Sequence, residues 1–326
     1  MAQADFNNLT AISREKVLPG IINQIRNEHP VLDKLFANSK TENGGTAIDV
    51  IVRYAQSTQG GSYAGLETLD AAQETTKTRA RFQWKQYEMP IVFSNIDIAK
   101  NKGEGLEDML KVEMAEVKDD LQHKFAQAIF ASYTNGITGN SGKDIDSLVG
   151  AADEGDNVGT YGGLVRSTST WWKGNYDTMS GSLTIAKMRT MWSLASDGNE
   201  TPDMIVTTTD GKDAYEALLT NTLQYITNTG NASSGDASFQ KLAFRGVKIE
   251  ADKYCTAQNM YFLNSKYLGF RNLKHPNFPT TKEGFAMTDL QAPVNQDGKV
   301  GYILWYGNLI CSQPRRQARL YGITNA

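Results

Sequence analysis

Residues 46–93 alternate apolar and polar positions in two long runs joined by a glycine-rich tip, and a long, heavily charged amphipathic helix follows directly. In the first run Ile48, Val50, Val52 and Tyr54 fall on one face and Asp49, Ile51 and Arg53 on the other. This is the period-two spacing of a strand, with the expected β-branched enrichment. In the return run Ala80, Phe82 and Trp84 alternate with Arg79, Arg81, Gln83 and Lys85, and then the apolar phase moves to Tyr87, Met89, Ile91 and Phe93. A one-residue slip exchanges the faces of a strand. The switch near Lys85 and Gln86 therefore predicts a bulge, or a strand passing from one environment into another, at the root of an extended arm. The tip, 57–75, holds Gly60, Gly61 and Gly65 with the acids Glu67, Asp70 and Glu74, which is loop composition. A two-stranded arm cannot bury its apolar face alone, so the pattern predicts that a neighbouring copy covers it.

The helix is predicted over 106–133, without Gly or Pro and about 42 Å long. Leu106, Leu110, Met114, Val117, Leu121, Phe125 and Ala128 recur every three or four residues and draw one apolar stripe, the side facing a core. Outside the stripe Glu107, Asp108, Glu113, Glu116, Asp119 and Asp120 outnumber Lys111, Lys118 and Lys124. Such a face is ordinarily solvated. Because the arm carries Lys77, Arg79, Arg81 and Lys85, opposite in sign, the pattern predicts a contact in which Arg79, Arg81 and Lys85 of one copy face Glu113, Glu116, Asp119 and Asp120 of the next.

Further along, Ile12, Val17, Ile21, Ile22 and Ile25 predict a helix-containing N-terminal segment interrupted at Pro19-Gly20, and Pro30 precedes a short apolar run over 31–36. In 134–182 ten of 49 residues are glycine, which predicts irregular structure. A second helix is predicted after Ser182 with Ile185, Met188, Trp192 and Ala195 as its apolar face and Asp197-Gly198 as its stop. Beyond Pro202 the pattern predicts a buried strand over 204–208, a short helix over 212–219, an exposed Gly/Ser/Asn loop over 228–238, and strands over 246–249, 260–263, 300–306 and 317–323.

The 326 residues are 40% hydrophobic and 21% charged with net charge −3, an ordinary globular composition with material for one large or two smaller cores. No apolar run approaches the ~20 residues that span a bilayer, and the polar start MAQADFNNLT is no signal peptide, so no membrane partner and an intracellular site of synthesis are expected. Cys255 and Cys311 are expected as buried thiols. The first 45 residues balance five basic and five acidic side chains, which argues against sequence-specific nucleic-acid recognition.

Candidate chemistry is sparse. His29, His123 and His275 lie in no metal-ligand spacing, and His123 is expected to be solvated or salt-linked among the helix charges. Residues 136–143 fail the phosphate-loop pattern: Ile137 stands where glycine is required, and Asp144 replaces the hydroxyl that would hold magnesium. No GxSxG elbow or GxGxxG turn occurs. Asp153, Glu154 and Asp156, with Trp171 and Trp172, compose the one enzymatic alternative, a carbohydrate-active site; the expected state of these acids is solvated, and of the tryptophans packed. No catalytic residue, cofactor or metal is assigned.

The order of these elements, with TPDMIVTTTDGKDAYEALL, FRGVKIEADKY, MYFLNSKYLGF and the closing PRRQARLYGI, resembles the major capsid proteins of tailed phages, the Hong Kong 97-type fold, over nearly the whole chain. The resemblance implies an α+β fold: an N-terminal arm (1–45), an extended hairpin loop and its root (46–93), a peripheral domain built on the spine helix (94–201), an axial domain (202–306) and a last strand returning to the peripheral domain (307–326). It further implies a non-enzymatic subunit that assembles as pentamers and hexamers into an icosahedral virion shell around double-stranded DNA, touched weakly and non-specifically, with assembly in the host cytoplasm. The sequence opens without the long helical scaffolding segment of the best-known members, so a separate scaffolding protein, or a removed scaffolding segment, is implied, as is a portal. An encapsulin-like compartment shell shares the fold and is the alternative within assembly proteins.

Overall fold

The computed structural model describes residues 29–69, 72–100, 104–134, 137–220, 242–293 and 296–324, without the side chains of 97, 104–112 and 220. The predicted helix around Ile12 to Ile25 and the loop 228–238 lie outside these residues, as do the side chains of Leu106 and Leu110, the first two apolar positions of the long helix. Helix α1 (Pro30–Ala37) starts on a proline, whose missing N–H costs nothing at the first helical position, and buries Val31, Leu32, Leu35 and Phe36. Strand β1 (Lys40–Glu42) then pairs in parallel with a strand near residue 271. Residues 30–42 are thus built into the body, although the resemblance assigns them to an arm.

Strands β2 (Ile48–Arg53) and β3 (Lys77–Phe82) form a six-pair antiparallel hairpin, Ile48 opposite Phe82 and Arg53 opposite Lys77. Only Gln83 and Trp84 separate β3 from β4 (Lys85–Ser94), which has a different partner: ten consecutive pairs with a long C-terminal strand, from Lys85–Gly307 to Ser94–Gly298. The phase switch at Lys85 is therefore a change of sheet. After α2 (Asn95–Lys100) comes the long helix α3 (Glu104–Ile129), whose Val117, Leu121, Phe125 and Ala128 are buried on the predicted stripe. Phe125 is its anchor, with ring centroids of Tyr87 and Trp305 both at 4.7 Å.

An irregular segment follows, with single helical turns and a small ladder of β5 (Thr160–Tyr161) and β6 (Leu164–Val165). Then come β7 (Asn175–Gly181), α4 (Ile185–Ala195), β8 (Met204–Thr207), α5 (Thr209–Thr220), β9 (Ala243–Phe244), β10 (Val247–Ala251), β11 (Asn259–Leu263), β12 (Leu268–Leu273), β13 (Phe285–Met287), β14 (Gly298–Cys311) and β15 (Ala318–Ile323). The cap of α4 is Thr184, whose hydroxyl accepts from the Lys187 amide at 3.3 Å, two residues beyond the Ser182 expected.

Two sheets organise the body. In the first, β12 and β13 line one side of β14, β4 lines the other, and β1 lies beyond β12, so both legs of the hairpin enter one sheet. Its core holds α1, α3, the base of the hairpin and the irregular segment. The second sheet has the order β7-β15-β11-β8-β10-β9, with β7/β15 and β8/β10 parallel; α4, α5 and the buried Tyr215 and Phe244 complete its core. The last strand lies between β7, which falls within 94–201, and β11 in this second sheet. Leu183, Met188 and Trp192, expected with the spine helix, also pack into the second core.

Candidate inter-subunit surfaces

The hairpin has an inward and an outward face. Inward, Ala80 and Phe82 are buried, and the Phe82 ring meets Tyr161 edge-on at 5.2 Å. Gly162 turns against it with φ of +55°, and a Cβ there would come within 2.8 Å of the Phe82 ring, so glycine is required for both backbone and space. The Arg81 amide donates to the Gly162 carbonyl at 2.8 Å. Farther out, Tyr54 stacks on Trp171 at 5.3 Å, beside a cavity of about 360 Å³ lined also by Val52, Pro314 and Arg315. The base of the arm is thus covered by its own chain, contrary to the expectation that a neighbour covers the whole apolar face. What stays uncovered is the outward Ile51, 73% exposed, and the tip, where Leu66 is fully exposed and Tyr63 and Leu69 are 66% exposed.

Outward, the face is strongly basic. Arg81 donates to both oxygens of Asp49, from Nε at 2.8 Å and Nη2 at 3.1 Å, and Arg79 reaches the same carboxylate at 3.5 Å. These bonds, led by that from Arg81, hold the Asp49 carboxyl below the usual carboxylate range. Arg53 stands directly opposite Lys77, a like-charge pair that destabilises a ladder, and turns its Nε to the Ala55 carbonyl at 3.2 Å. Four cations against one carboxylate give this face its sign. Lys85 sits apart at the root, half-buried, its ammonium donating to the Gly142 carbonyl. On α3, Glu116 and Asp120 are exposed and Glu113 and Asp119 half-buried, while Lys118 pairs with Glu283 at 2.7 Å.

Two expectations about polar residues, those for Asp153 and His123, are overturned, while Trp172 is packed as expected. Asp153 is buried, not solvated: its Oδ1 accepts from the amides of Gly155 at 2.8 Å and Val158 at 3.1 Å, and its Oδ2 from Asn157 Nδ2 at 3.2 Å. The guanidinium groups of Arg166 and Arg319 lie at 4.0 and 3.8 Å, and Arg166, itself fully buried, donates to the carbonyls of Gly150 and Trp172. Trp172 is buried with its indole N–H on the Tyr161 carbonyl at 2.9 Å. The carbohydrate-active alternative loses two of its residues to the interior. Glu154 is half-buried, and burial first and Asp156 second raise its carboxyl above the ordinary range. His123, finally, is buried against His29, 94 residues away, with Nδ1 and Nε2 2.9 Å apart. No local pattern could have announced either cluster, because each is assembled from distant segments.

No protein-family model matches the chain, and comparison with curated protein sequences finds no match. Solved structures do match. A capsid chain of cyanophage A-1(L) superposes with a TM-score of 0.71 at 17% identity, over 98% of this chain and 99% of that one. This chain has the tailed-phage capsid fold. Within that capsid fold, the encapsulin of Synechococcus elongatus matches with a TM-score of 0.58 at 11% identity over 99% of this chain and 96% of that one. The capsid of a native GTA particle matches at 0.54 and 12% identity over 94% and 96%. The capsid fold is an α+β architecture here, with the hairpin and the spine helix α3 at the positions the resemblance implied.

Proposed function

We propose that the chain is the structural subunit of a phage capsid, assembling as pentamers and hexamers into an icosahedral shell that encloses double-stranded DNA. The observation that carries this reading is the arm: a hairpin that leaves the body, exposes Tyr63, Leu66 and Leu69 at its tip and presents a basic outer face, in a chain matched end to end by a cyanophage capsid chain. An isolated subunit gains nothing from such an arm. In a shell the tip and the outer face dock on neighbours, with Arg79 and Arg81 opposite Glu113, Glu116, Asp119 and Asp120 of the next spine helix and Lys85 holding the root. Scaffolding protein and portal complete the partner set, and contact with DNA is weak and non-specific.

The test is negative-stain imaging of the expressed chain, alone and with a scaffolding protein, beside a variant lacking 57–75. Closed particles tens of nanometres wide are expected from the full chain, and soluble folded monomers or small oligomers from the deletion. Closed shells of normal size from the deletion variant would sink the role of the arm. The encapsulin match supports a second reading, a compartment shell around protein cargo; particles that protect DNA from nuclease favour the phage shell over it.

A further inference from the structure

The long helix carries a second feature, at His123. His123 of α3 meets His29, the residue immediately before α1, and His29 Nδ1 lies 3.7 Å from the Asp252 carboxylate in the turn between β10 and β11. All three side chains are buried. Tyr254 stacks on His29 at 5.3 Å and closes the cluster from the same turn, and Lys253 caps the Tyr254 ring at 5.8 Å. Asp33 of α1 faces His29, Cys255 continues the turn as a buried thiol, and Asp119 and Asp120 lie one turn earlier on α3. The turn is a strut between two bodies: Thr256 Oγ1 donates to the Phe130 carbonyl at the end of α3 at 3.0 Å, and the Asp252 amide donates to the Thr207 carbonyl in the second sheet at 3.0 Å.

The two rings share one bond, which needs one N–H and one bare nitrogen. Because His29 Nδ1 faces a carboxylate, its proton belongs there; His29 Nε2 is then the acceptor and His123 Nδ1 the donor. At 3.7 Å the His29–Asp252 approach is Coulombic and no hydrogen bond, so His29 Nδ1, Asp252 Oδ2 and His123 Nε2 all stay buried without a hydrogen-bond partner. When both rings are protonated, no acceptor remains between them and two cations face each other at 2.9 Å.

We propose that this junction is a proton-operated latch: near neutral pH it holds the entry to α1 and the 252–256 turn against the spine helix, and acidification releases both. Burial holds the His29 imidazole below its ordinary range, ahead of the opposing pull of Asp252, and raises the Asp252 carboxyl above its own, so burial disfavours the charged form of both partners and the carboxyl's contribution to stability runs opposite in pH to the histidine's. A depressed histidine contributes stability that is present near neutrality and lost as pH falls through its folded value. The inference does not depend on shell assembly.

Histidine-selective nitrogen labelling of the full chain tests it, because the three histidines give three pairs of ring signals. His275, whose Nδ1 accepts from the amides of Asn277 and Phe278 at 3.2 and 3.1 Å, is the internal reference. The His29 ring should titrate below the ordinary histidine value of ~6.5, and the His123 ring signals should move over the same interval through the shared bond. Over the same interval, amide exchange in 29–37 and 252–256 should rise about tenfold beyond the intrinsic pH effect, with the β14 ladder unchanged. His123→Phe should abolish the step in exchange. An equal step in that variant overturns the proposal, and if the variant does not fold the wild-type His29 signals decide alone: titration without faster exchange, or a His29 ring that stays neutral to about pH 4.5, removes the latch.

Discussion

Replacing Asp153 by asparagine isolates one charge inside the irregular segment. The amide keeps an oxygen where Oδ1 accepts from Gly155 and Val158, so both backbone bonds survive, but it puts an NH2 where Oδ2 accepts from Asn157 and faces Arg319. Donor then meets donor, and the fully buried Arg166 loses the carboxylate 4.0 Å from it. Removing one partner of a buried ion pair costs about 3–5 kcal/mol, because the remaining charge is stranded in the interior. At roughly 1.5 °C per kcal/mol for a chain of 326 residues, the melting midpoint of Asp153→Asn should fall by ~4–8 °C. Circular dichroism melts of the unassembled chain measure this, with Asp156→Asn, an exposed neighbour, expected to match wild type. Adding Arg166→Met should recover part of the loss, less than all because three carbonyls lose their donor. A single mutant that melts with wild type, or a control that falls as far, would falsify the view that Asp153 anchors this segment.

Arg79→Glu with Arg81→Glu should abolish or strongly impair particle formation at low salt while moving the subunit's melting midpoint little, since the sites are exposed; Glu113→Lys with Glu116→Lys should restore part of assembly, and normal shells from the double reversal would refute the charge match. Burial pushes the Asp146 carboxyl up to about 7, well above its unfolded value. A raised carboxyl contributes stability that is complete below the unfolded value and lost as pH rises through the folded one, so urea midpoints of wild type should decline from acid toward pH ~7. Asp146→Asn should flatten that decline, and an unchanged slope would place the titrating group elsewhere.

The strands of the arm were legible because each has one covered face, and the phase switch at Lys85 was legible because the covered face changes when β3 hands over to β4. The spine helix was legible from its three- and four-residue stripe. Pairing partners were not. Nothing local in 318–323 names β7 and β11 as its neighbours, since any place inside a sheet demands the same buried Ala318 and Leu320. Strand β14 was read as half its length because glycines interrupt its pattern. Gly298 and Gly307 are there for closeness instead: a Cβ would stand 2.5 Å from the Phe93 carbonyl oxygen at one and 2.6 Å from that of Arg271 at the other. Asp153 with Arg166 and Arg319, and His29 with His123, escaped for a related reason. A buried charge reads as a surface charge until its partner is known.

Both legs of the hairpin end in the same sheet, β1 at one edge and β4 across β12 and β14, about 14 Å apart at the usual strand spacing of ~4.8 Å. A rod mounted at one point can swing in any direction and spin about its own length. Mounted at two separated points, it keeps one motion, rotation about the line that joins them. The Trp84 indole, donating to the Gly45 carbonyl at 2.8 Å, ties the legs together just above that line, and Gly44 and Gly45, with φ of +112° and +116°, supply the pliable leg. That one motion is opposed by the inward contacts of Phe82 with Tyr161, of the Arg81 amide with Gly162 and of Tyr54 with Trp171, so the sheet beneath sets the direction in which the arm leaves the body.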